Sequence, residues 1–549
     1  MKFTKLLVSV FAAAIGIAMV PAVTATAASG IKIDEAHFPD AAFRAYLKNY
    51  FDLDVNGYLS SGEIKEIDHL SFFKSDKVSN LKGIEYLTSV ENLYFDSEKL
   101  TYCDLSKVSK LKMVSIRSDI ETLDVSKNAN LEYIWIESNN LKSLNVSNNK
   151  KIKDILLTGN AQFSSFDVSK NTALESFVIY SNQLKSLDLT KNTRLKTLGI
   201  VTSKEFSSIK LGKNTALIDL SIDDSTLKSI DLSGCTKLEK LYIKSYELTS
   251  IDLQKNTRLK HVDVFSTEVN ELDVSNCKDL EYLTFDPDRV TQGITLCCGQ
   301  KFEYGNRGYK VTASSSDSSI LKAKVKTVKS KSGDITYRIA VEAKKTGKAD
   351  IKEVTANKTR EWLTHVTVLY KDVTANSDFW YAPTYCLSDS GVVKGYDNQT
   401  SFKPGNECTR AQMVTFLWRL AGQPAPSAKT TKFTDVKKGD YYFKAVIWAV
   451  EQGITTGISK DKFAPDGVCT RAQTVTFLWR MAGKPEPSSK TSKFKDVKES
   501  DYFFKATCWA SEQKIVAGYS DGTFKPSGKC LRRQMVTFLY KFSNCQNNK

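Results

Sequence analysis

The last third of this chain contains one segment three times, and this repeat constrains the fold more than any other feature. The copies are residues 408–422 (CTRAQMVTFLWRLAG), 469–483 (CTRAQTVTFLWRMAG) and 530–544 (CLRRQMVTFLYKFSN), and successive copies start 61 residues apart. Repeated sequence must adopt repeated structure, and three copies of one site permit avidity. Apolar spacing and glycine turns predict three helix–turn–helix units, at about residues 372–422, 433–483 and 494–544.

The second helix of the first two units begins with a capping box. Thr409 is followed three residues later by Gln412, and Thr470 is followed by Gln473. In a capping box the threonine hydroxyl accepts a helix-start N–H, and the glutamine side chain accepts the N–H of the cap residue. We therefore interpret the threonines and glutamines as helix caps.

An arginine lies in the first turn of each of these helices, at Arg410, Arg471 and Arg532. The helix dipole disfavours a cation at this position. A guanidinium beside free helix-start amides would suit a carboxylate, which indicates an anion site. The alternative is an arginine that only packs and forms salt bridges.

Residues 372–549 resemble three tandem S-layer homology (SLH) domains. The Thr-Arg-Ala-Glu motif of that family matches residues 409–412 and 470–473 with Gln in place of Glu, whereas residues 531–534 read Leu-Arg-Arg-Gln. The resemblance implies an α-helical pseudo-threefold bundle whose grooves bind secondary cell-wall polysaccharide, often pyruvylated. It implies that the polymer is contacted by Thr409, Arg410, Thr470, Arg471 and, in the altered third copy, Arg532.

The first 28 residues read as a secretory signal. Lys2 and Lys5 precede an apolar run, and small residues at 25–28 offer a cleavage site. We expect a secreted protein on the cell wall or S-layer surface of a Gram-positive-type bacterium, with no transmembrane segment after cleavage.

Charge is divided unevenly along the chain. Residues 31–293 carry 34 basic and 39 acidic side chains, residues 294–371 carry 16 and 7, and residues 372–549 carry 26 and 16. A basic C-terminal half suits contact with an anionic wall. Nucleic acid is not expected as a partner, because the chain is exported and lacks a basic nucleic-acid motif.

A second repeat occupies residues 81–293, with a period of 20–22 residues and the unit L-x-x-L-D-[LV]-S-x-N-x-x-L-x-x-L-x-[IV]. It resembles bacterial leucine-rich repeats, including internalin-like ones, and predicts a solenoid. The recurrent asparagine predicts a buried polar ladder that bonds the backbone. Both halves of the unit fit a strand, so the sequence leaves open which half forms the concave sheet.

Aromatic side chains occupy outward positions of these predicted strands. They are Trp135, Tyr180, Tyr242 and Phe265, with charged residues among them. Aromatic and charged side chains mixed on a sheet surface favour recognition of another protein. The alternative is an ordinary exposed sheet face.

The segment at 29–80 predicts a helical N-terminal cap with an EF-hand-like loop. Its candidate Ca²⁺ ligands are Asp52, Asp54, Asn56, Tyr58 and Glu63. Oxygen ligands at alternate positions, a glycine at the sharp turn and a final glutamate are the features that hold Ca²⁺. The alternative is a loop held by its own turns and caps.

Between the repeats and the SLH-like units, residues 294–371 contain short alternating stretches. They predict a small β-sandwich that weakly resembles bacterial immunoglobulin-like domains. The fold class expected for the whole chain is therefore multidomain α+β.

The chain contains eleven cysteines. Disulfides Cys386–Cys408 and Cys508–Cys530 are one interpretation. We favour buried reduced thiols, because Ile447 occupies the corresponding place in the middle copy.

We expect no enzyme, because none of the four histidines lies in a metal or nucleophile motif. The sequence instead indicates an exported protein anchored non-covalently to wall polysaccharide, which presents the leucine-rich repeats to a protein or glycan. The alternative is a structural S-layer or envelope component whose repeats self-associate.

Overall fold

The structure is a computed structural model that describes residues 30–97, 100–202, 204–265, 268–286 and 289–547. The predicted signal at 1–28 lies outside these residues. The chain forms two compact units, residues 1–162 and 163–549.

The first unit contains two α-helices, two short 3₁₀ helices (Lys74–Asp76 and Ile84–Tyr86) and nine strands among its described residues. The helices are α1 (Ala41–Tyr50) and α2 (Ser61–Glu66). The strands are β1 (Ile31–Lys32), β2 (Tyr58–Leu59), β3 (His69–Phe72), β4 (Asn92–Asp96), β5 (Met113–Arg117), β6 (Thr122–Leu123), β7 (Tyr133–Ser138), β8 (Ser143–Leu144) and β9 (Asp154–Ala161).

Strands β3, β4, β5, β7 and β9 of this unit form a parallel sheet in register. Alternate side chains point into the core, as Ile134 and Ile136 do in β7. At the N-terminal end Asp40 caps α1 through the N–H of Phe43 and also accepts the N–H groups of Ser79 and Asn80. One carboxylate thus joins the helix to the start of the repeats.

The second unit begins with the remaining repeats. Their strands are β10 (Ser176–Ser181), β11 (Ser186–Asp188), β12 (Thr197–Thr202), β13 (Ser208–Lys210), β14 (Asp219–Ser225), β15 (Lys240–Ser245), β16 (His261–Phe265), β17 (Glu271–Asp273) and β18 (Tyr282–Phe285). Strands β10, β12, β14, β15, β16 and β18 form a parallel sheet. The long strands come from the second half of each repeat.

The predicted asparagine ladder is confirmed. Asn192 donates from Nδ2 to the carbonyls of Val168 and Asn171, at 2.9 and 3.0 Å, and it is fully buried. Gln300 lies beyond the last repeat and donates in the same way to Val274 and Cys277, at 2.8 and 2.9 Å. The ladder therefore ends on a side chain that follows the repeats.

Seven further strands follow, and the first two of them pair with strands of the repeats. They are β19 (Thr291–Cys297), β20 (Lys301–Arg307), β21 (Val311–Ser315), β22 (Leu321–Lys329), β23 (Ile335–Ala343), β24 (Gly347–Thr355) and β25 (Glu361–Leu369). Strand β20 pairs in parallel with β18, and β19 pairs in parallel with β17. Strand β19 crosses residue 293, where the sequence placed a boundary, because backbone pairing carries the sheet across it.

Six helices form the C-terminal end of this unit. They are α3 (Tyr381–Asp389), α4 (Arg410–Leu420), α5 (Phe443–Glu451), α6 (Arg471–Met481), α7 (Phe504–Glu512) and α8 (Arg532–Asn547). Apolar side chains from all three copies share one core.

Backbone hydrogen bonds at three equivalent cysteines join the three copies in a closed ring. The N–H of Cys408 donates to the carbonyl of Cys530, that of Cys469 to Cys408, and that of Cys530 to Cys469, each at 2.9 Å. The first copy thus bonds directly to the third, and the arrangement has pseudo-threefold symmetry.

Candidate functional site

Helices α4 and α6 begin with the predicted capping boxes. The hydroxyl of Thr409 accepts the N–H of Gln412 at 3.2 Å, and the glutamine Oε1 accepts the N–H of Thr409 at 3.3 Å. Thr470 and Gln473 repeat this exchange. Helix α8 retains only the bond from the N–H of Leu531 to Gln534, because leucine has no hydroxyl. Both threonine hydroxyls are therefore used in the caps.

The three predicted arginines lie at the junctions between copies and are buried. Arg410, Arg471 and Arg532 are 4%, 3% and 2% exposed. Each Nε donates to a phenylalanine carbonyl of the next copy around the ring: Phe463 at 2.9 Å, Phe524 at 2.8 Å and Phe402 at 2.8 Å, respectively. Each guanidinium also lies over the ring of that phenylalanine. The arginines thus join each copy to its neighbour.

The three junctions differ in how completely the guanidinium is bonded. Arg471 donates from Nη2 to Ala517 at 3.1 Å, and Arg532 donates from Nη2 to Lys394 at 3.0 Å. Among the described residues, Nη2 of Arg410 is buried and has no hydrogen-bond partner. Burial lowers the pKa of both Arg410 and Arg471. Of these three arginines, only Arg410 therefore retains a buried guanidinium nitrogen without a hydrogen-bond partner.

An aromatic ring also distinguishes the junctions. Tyr519 lies over Arg471 and Tyr396 lies over Arg532, with 5.0 and 4.6 Å between guanidinium carbon and ring centroid. The corresponding position in the middle copy, directly after Gly457, is the exposed Ile458. The Arg410 junction is therefore the least covered by aromatic rings.

The expectation of free helix-start amides was wrong. The N–H groups of Arg410 and Ala411 donate to the carbonyls of Gly467 and Pro465, at 2.9 and 3.0 Å. Equivalent bonds occupy the first amides of α6 and α8. Neighbouring copies thus satisfy the donors that an anion would have used, and only the side chains remain for a ligand.

Three aspartates that the sequence analysis missed hold the Phe-x-Pro loops. Asp435 accepts the N–H groups of Phe463 and Ala464, at 2.9 and 2.8 Å. Asp372 and Asp496 do the same in the other copies. An Asp-Val pair two residues after an aromatic residue in each copy is the signal that could have revealed them. These carboxylates fix the phenylalanine carbonyls to which the arginines donate.

The EF-hand-like loop brings three carboxylates together. Oxygens of Asp52, Asp54 and Glu63 lie within 4.8 Å of one another. Asp52 accepts the N–H groups of Asn56 and Gly57, both at 3.0 Å. Burial raises the pKa of Asp52, and the charge of Glu63 adds to this shift. Three crowded carboxylates form an environment that a cation would stabilise.

Glu63 holds both ends of this loop. Its Oε1 accepts the N–H of Leu53, and its Oε2 accepts the N–H of Ser60, both at 2.8 Å. The Asn56 side chain accepts the N–H of Tyr58 at 2.7 Å. The loop is therefore also closed by its own hydrogen bonds, as the alternative interpretation expected.

The four outward aromatic residues are distributed over both units. Trp135 lies on β7 of the first unit, whereas Tyr180, Tyr242 and Phe265 lie on the sheet of the second. Tyr242 and Phe265 come together, with ring centroids 5.5 Å apart. Asp263 lies directly beside Tyr242 on the next strand, and burial raises the pKa of its carboxyl.

Ten cysteines, from Cys103 to Cys530, are free thiols. The proposed pairs Cys386–Cys408 and Cys508–Cys530 are absent. Cys408 and Cys530 instead lie in the closed ring of backbone hydrogen bonds, and both are fully buried.

Comparison with known families identifies the C-terminal part. The S-layer homology domain matches residues 369–414, 432–475 and 493–536. The chain therefore carries three S-layer homology domains. Within the described residues no helix is both long and apolar enough to cross a membrane.

The curated relatives include cell surface proteins and glucanases. The chain is 31% identical over 24% of its length to a cell surface protein of Thermoanaerobacter kivui, covering 18% of that protein. It is 36% identical over 27% of its length to a cellulosome-anchoring protein of Acetivibrio thermocellus, covering 34% of it. An endoglucanase of Bacillus sp. (strain KSM-635) is 37% identical over 22% of this chain, and 13% of that enzyme is covered. The chain thus spans at most about a third of these relatives, which indicate a secreted protein associated with the cell wall surface.

Among solved structures, the chain is similar to the functional domain of InlJ from Listeria monocytogenes. The identity is 16%, the TM-score is 0.31, and the match covers 63% of this chain and all of that one. It is also similar to internalin C2 from Listeria monocytogenes, with 17% identity, a TM-score of 0.29 and coverage of 47% of this chain and 96% of that one.

Proposed function

We propose that this protein is a non-covalent wall anchor that presents its leucine-rich repeats at the cell surface. In the proposal, the three S-layer homology domains hold an anionic secondary cell-wall polysaccharide. The observation that carries it is the placement of Arg410, Arg471 and Arg532, each at a junction between copies, in a region with an excess of ten positive charges. The Coulomb attraction between a buried guanidinium and a carboxylate is stronger than between exposed groups, because water screens it less.

Thr409 and Thr470 contribute to these junctions as positioning residues. Their hydroxyls fix the first turn of α4 and α6, which sets where the following arginine side chain starts. The third junction lacks this hydroxyl, so we expect it to bind the polymer less well.

The experiment is sedimentation of the full chain with cell walls. One wall sample carries pyruvylated polysaccharide, and the matched sample has had that polymer chemically removed. We expect the chain to pellet with the first sample only. Equal pelleting with both samples, or with neither, would contradict the anchor.

The repeats would then present a face for another protein or a glycan. Tyr242 and Phe265 are the centre of the proposed face, because they pack together beside a carboxylate that is partly buried. Tyr180 lies on the same sheet, and Trp135 offers a similar outward ring in the first unit. Self-association of the purified chain that is lost in the Tyr242→Ala variant would instead favour a structural S-layer component.

We also propose that the N-terminal loop binds Ca²⁺. Asp52, Asp54, Asn56 and Glu63 would supply side-chain oxygens, and Tyr58 its carbonyl. Calorimetric titration of the full chain with CaCl₂ should give binding at about 10⁻⁴–10⁻³ M, as in other extracellular modules. Glu63→Gln should abolish the heat signal, and the exposed Glu66→Gln serves as the control. An unchanged signal in Glu63→Gln would exclude this loop.

A further inference from the structure

Each S-layer homology domain exposes one large aromatic side chain at an equivalent position. Phe379, Tyr441 and Tyr502 each lie two residues before a helix, namely α3, α5 and α7. They are 58%, 61% and 66% exposed, among the highest values for aromatic residues in the described chain. A single exposed aromatic residue is ordinary, but the same exposure in three copies is not explained by packing.

These rings are held in place although they face solvent. Each stands nearly perpendicular to the aromatic residue that follows it, with interplanar angles of 88°, 84° and 90° and centroid distances of 4.8, 5.0 and 5.1 Å. The following residues, Trp380, Tyr442 and Phe503, pack against the shared core. A ring with a fixed orientation loses little entropy when a ligand stacks on it.

The exposed rings lie where neighbouring copies meet. Helices α3, α5 and α7, which follow the rings, pack against α8, α4 and α6 of the adjacent copy, and the guanidinium of Arg533 lies 5.5 Å from the ring of Trp380, the residue after Phe379. Burial raises the pKa of Tyr502, in the third copy, and the charge of Arg410 of the first copy opposes this shift. Burial also raises the pKa of Tyr441, in the second copy, and Tyr396, the ring that lies over Arg532, adds to that shift. The pseudo-threefold arrangement assigns Phe379 to the remaining junction, that of Arg471.

We infer that Phe379, Tyr441 and Tyr502 are platforms on which sugar rings of the wall polysaccharide stack. Each junction is then assembled from all three copies: the arginine of one, the Phe-x-Pro loop of the next and the exposed ring of the remaining one. The inference rests on the proposed wall-binding function and adds the residues that recognise the sugar itself.

The chemistry of an acidic polysaccharide fits this combination. One face of a pyranose ring presents C–H bonds, which contact the electron-rich face of an aromatic ring favourably. A carboxylate carried by the same or the neighbouring sugar would meet the guanidinium. Stacking without the arginine would select sugars of any charge, and the arginine without stacking would select anions of any kind, so the pair gives specificity.

The test is binding of the purified full chain to isolated pyruvylated cell-wall polysaccharide, measured by calorimetry. Tyr502→Ala, Tyr441→Ala and Phe379→Ala should each weaken binding about two- to tenfold, and the triple variant should weaken it further. Tyr502→Phe should bind as the unchanged chain does, because the ring is retained. Tyr309→Ala, at an exposed ring on the sandwich, is the matched control and should have no effect.

The outcomes separate the inference from the function on which it rests. Because the three rings are exposed, the alanine variants should keep the thermal midpoint of the unchanged chain. Wild-type affinity in all three, together with weakened binding in Arg410→Lys, would overturn the platforms and leave the anchor in place. No binding by the unchanged chain would overturn both. Equal loss in Tyr309→Ala would show a non-specific effect of removing rings and would also overturn the inference.

Discussion

At the scale of single residues, the three arginines show how one motif can hold unequal roles. Arg471 and Arg532 donate to two carbonyls of the next copy, whereas Arg410 donates to one. A buried donor without a partner costs free energy. The fold accepts this cost at Arg410, whereas a second carbonyl removes it at Arg471 and Arg532. Under the proposed function, the unpaired nitrogen is available to a carboxylate.

This inequality predicts different consequences of the same substitution. Arg410→Lys should lower the affinity for wall polysaccharide at least as much as either other change, with the smallest loss of stability. Arg471→Lys and Arg532→Lys should each lower the free energy of unfolding by about 1–3 kcal/mol, because a lysine cannot donate to both carbonyls in that geometry. Chemical denaturation and polysaccharide titration measure the two effects. Equal destabilisation in all three variants would contradict the distinction.

At the scale of elements, the Phe-x-Pro loop and its aspartate form the part of each junction that sets the arginine position. Removing the carboxylate of Asp435 leaves two backbone N–H groups without their acceptor. The Phe463 carbonyl, which accepts from Arg410, lies in the same loop. A substitution of Asp435 in the second copy should therefore alter the position of the Arg410 side chain of the first copy.

Asp435→Ala is expected to lower the free energy of unfolding by about 1–3 kcal/mol and to weaken polysaccharide binding at the Arg410 junction. The control is Asp466→Ala, because Asp466 is exposed in the same loop. Urea denaturation followed by fluorescence would check the prediction. If the two variants were equally stable, the loop would not depend on this carboxylate.

The sequence was informative about elements wherever the pattern is local. Capping boxes, the asparagine ladder and the three helical copies could be predicted, because spacing alone determines them. The pairing of the repeats with the segment that follows them was not predictable, since the partners of β19 and β20 lie in β17 and β18 and are set by the tertiary fold. The groups that bond Arg410 could not be predicted for the same reason. Its partners at Phe463 and Gly467 are about fifty residues away, and no local pattern identifies them.

At the scale of the whole molecule, an exported chain keeps its described cysteines reduced by burying most of them. Burial raises the pKa of Cys277 and Cys530 to about 12, and that of Cys469 to about 11. Thiolates are the reactive form, so buried protonated thiols resist oxidation and alkylation. Cys386 is the exposed exception among the described thiols.

Two measurements follow from these shifts. Brief treatment of the native chain with iodoacetamide at pH 8 should modify Cys386 and spare the buried thiols, as peptide mass spectrometry can show.

The pKa values of the buried thiols in the folded chain lie above the unfolded value of about 8.5, so their contribution to the free energy of unfolding is fully present below pH 8. It should decline as the pH rises through 9 and above, because the unfolded chain then ionises more readily. A free energy of unfolding that rises between pH 8 and 10 would contradict this assignment.

The closed ring of backbone hydrogen bonds at Cys408, Cys469 and Cys530 has a mechanical consequence. Strand β25 leads into the first copy, so under the proposed function tension between the repeats and the wall would be applied to that copy. In an open row of three copies, the first could separate from one neighbour alone. In the ring it bonds to the second and the third copy, so it cannot separate without breaking both sets of bonds. Under the proposed function, the closed ring would therefore strengthen the anchor against a pulling force.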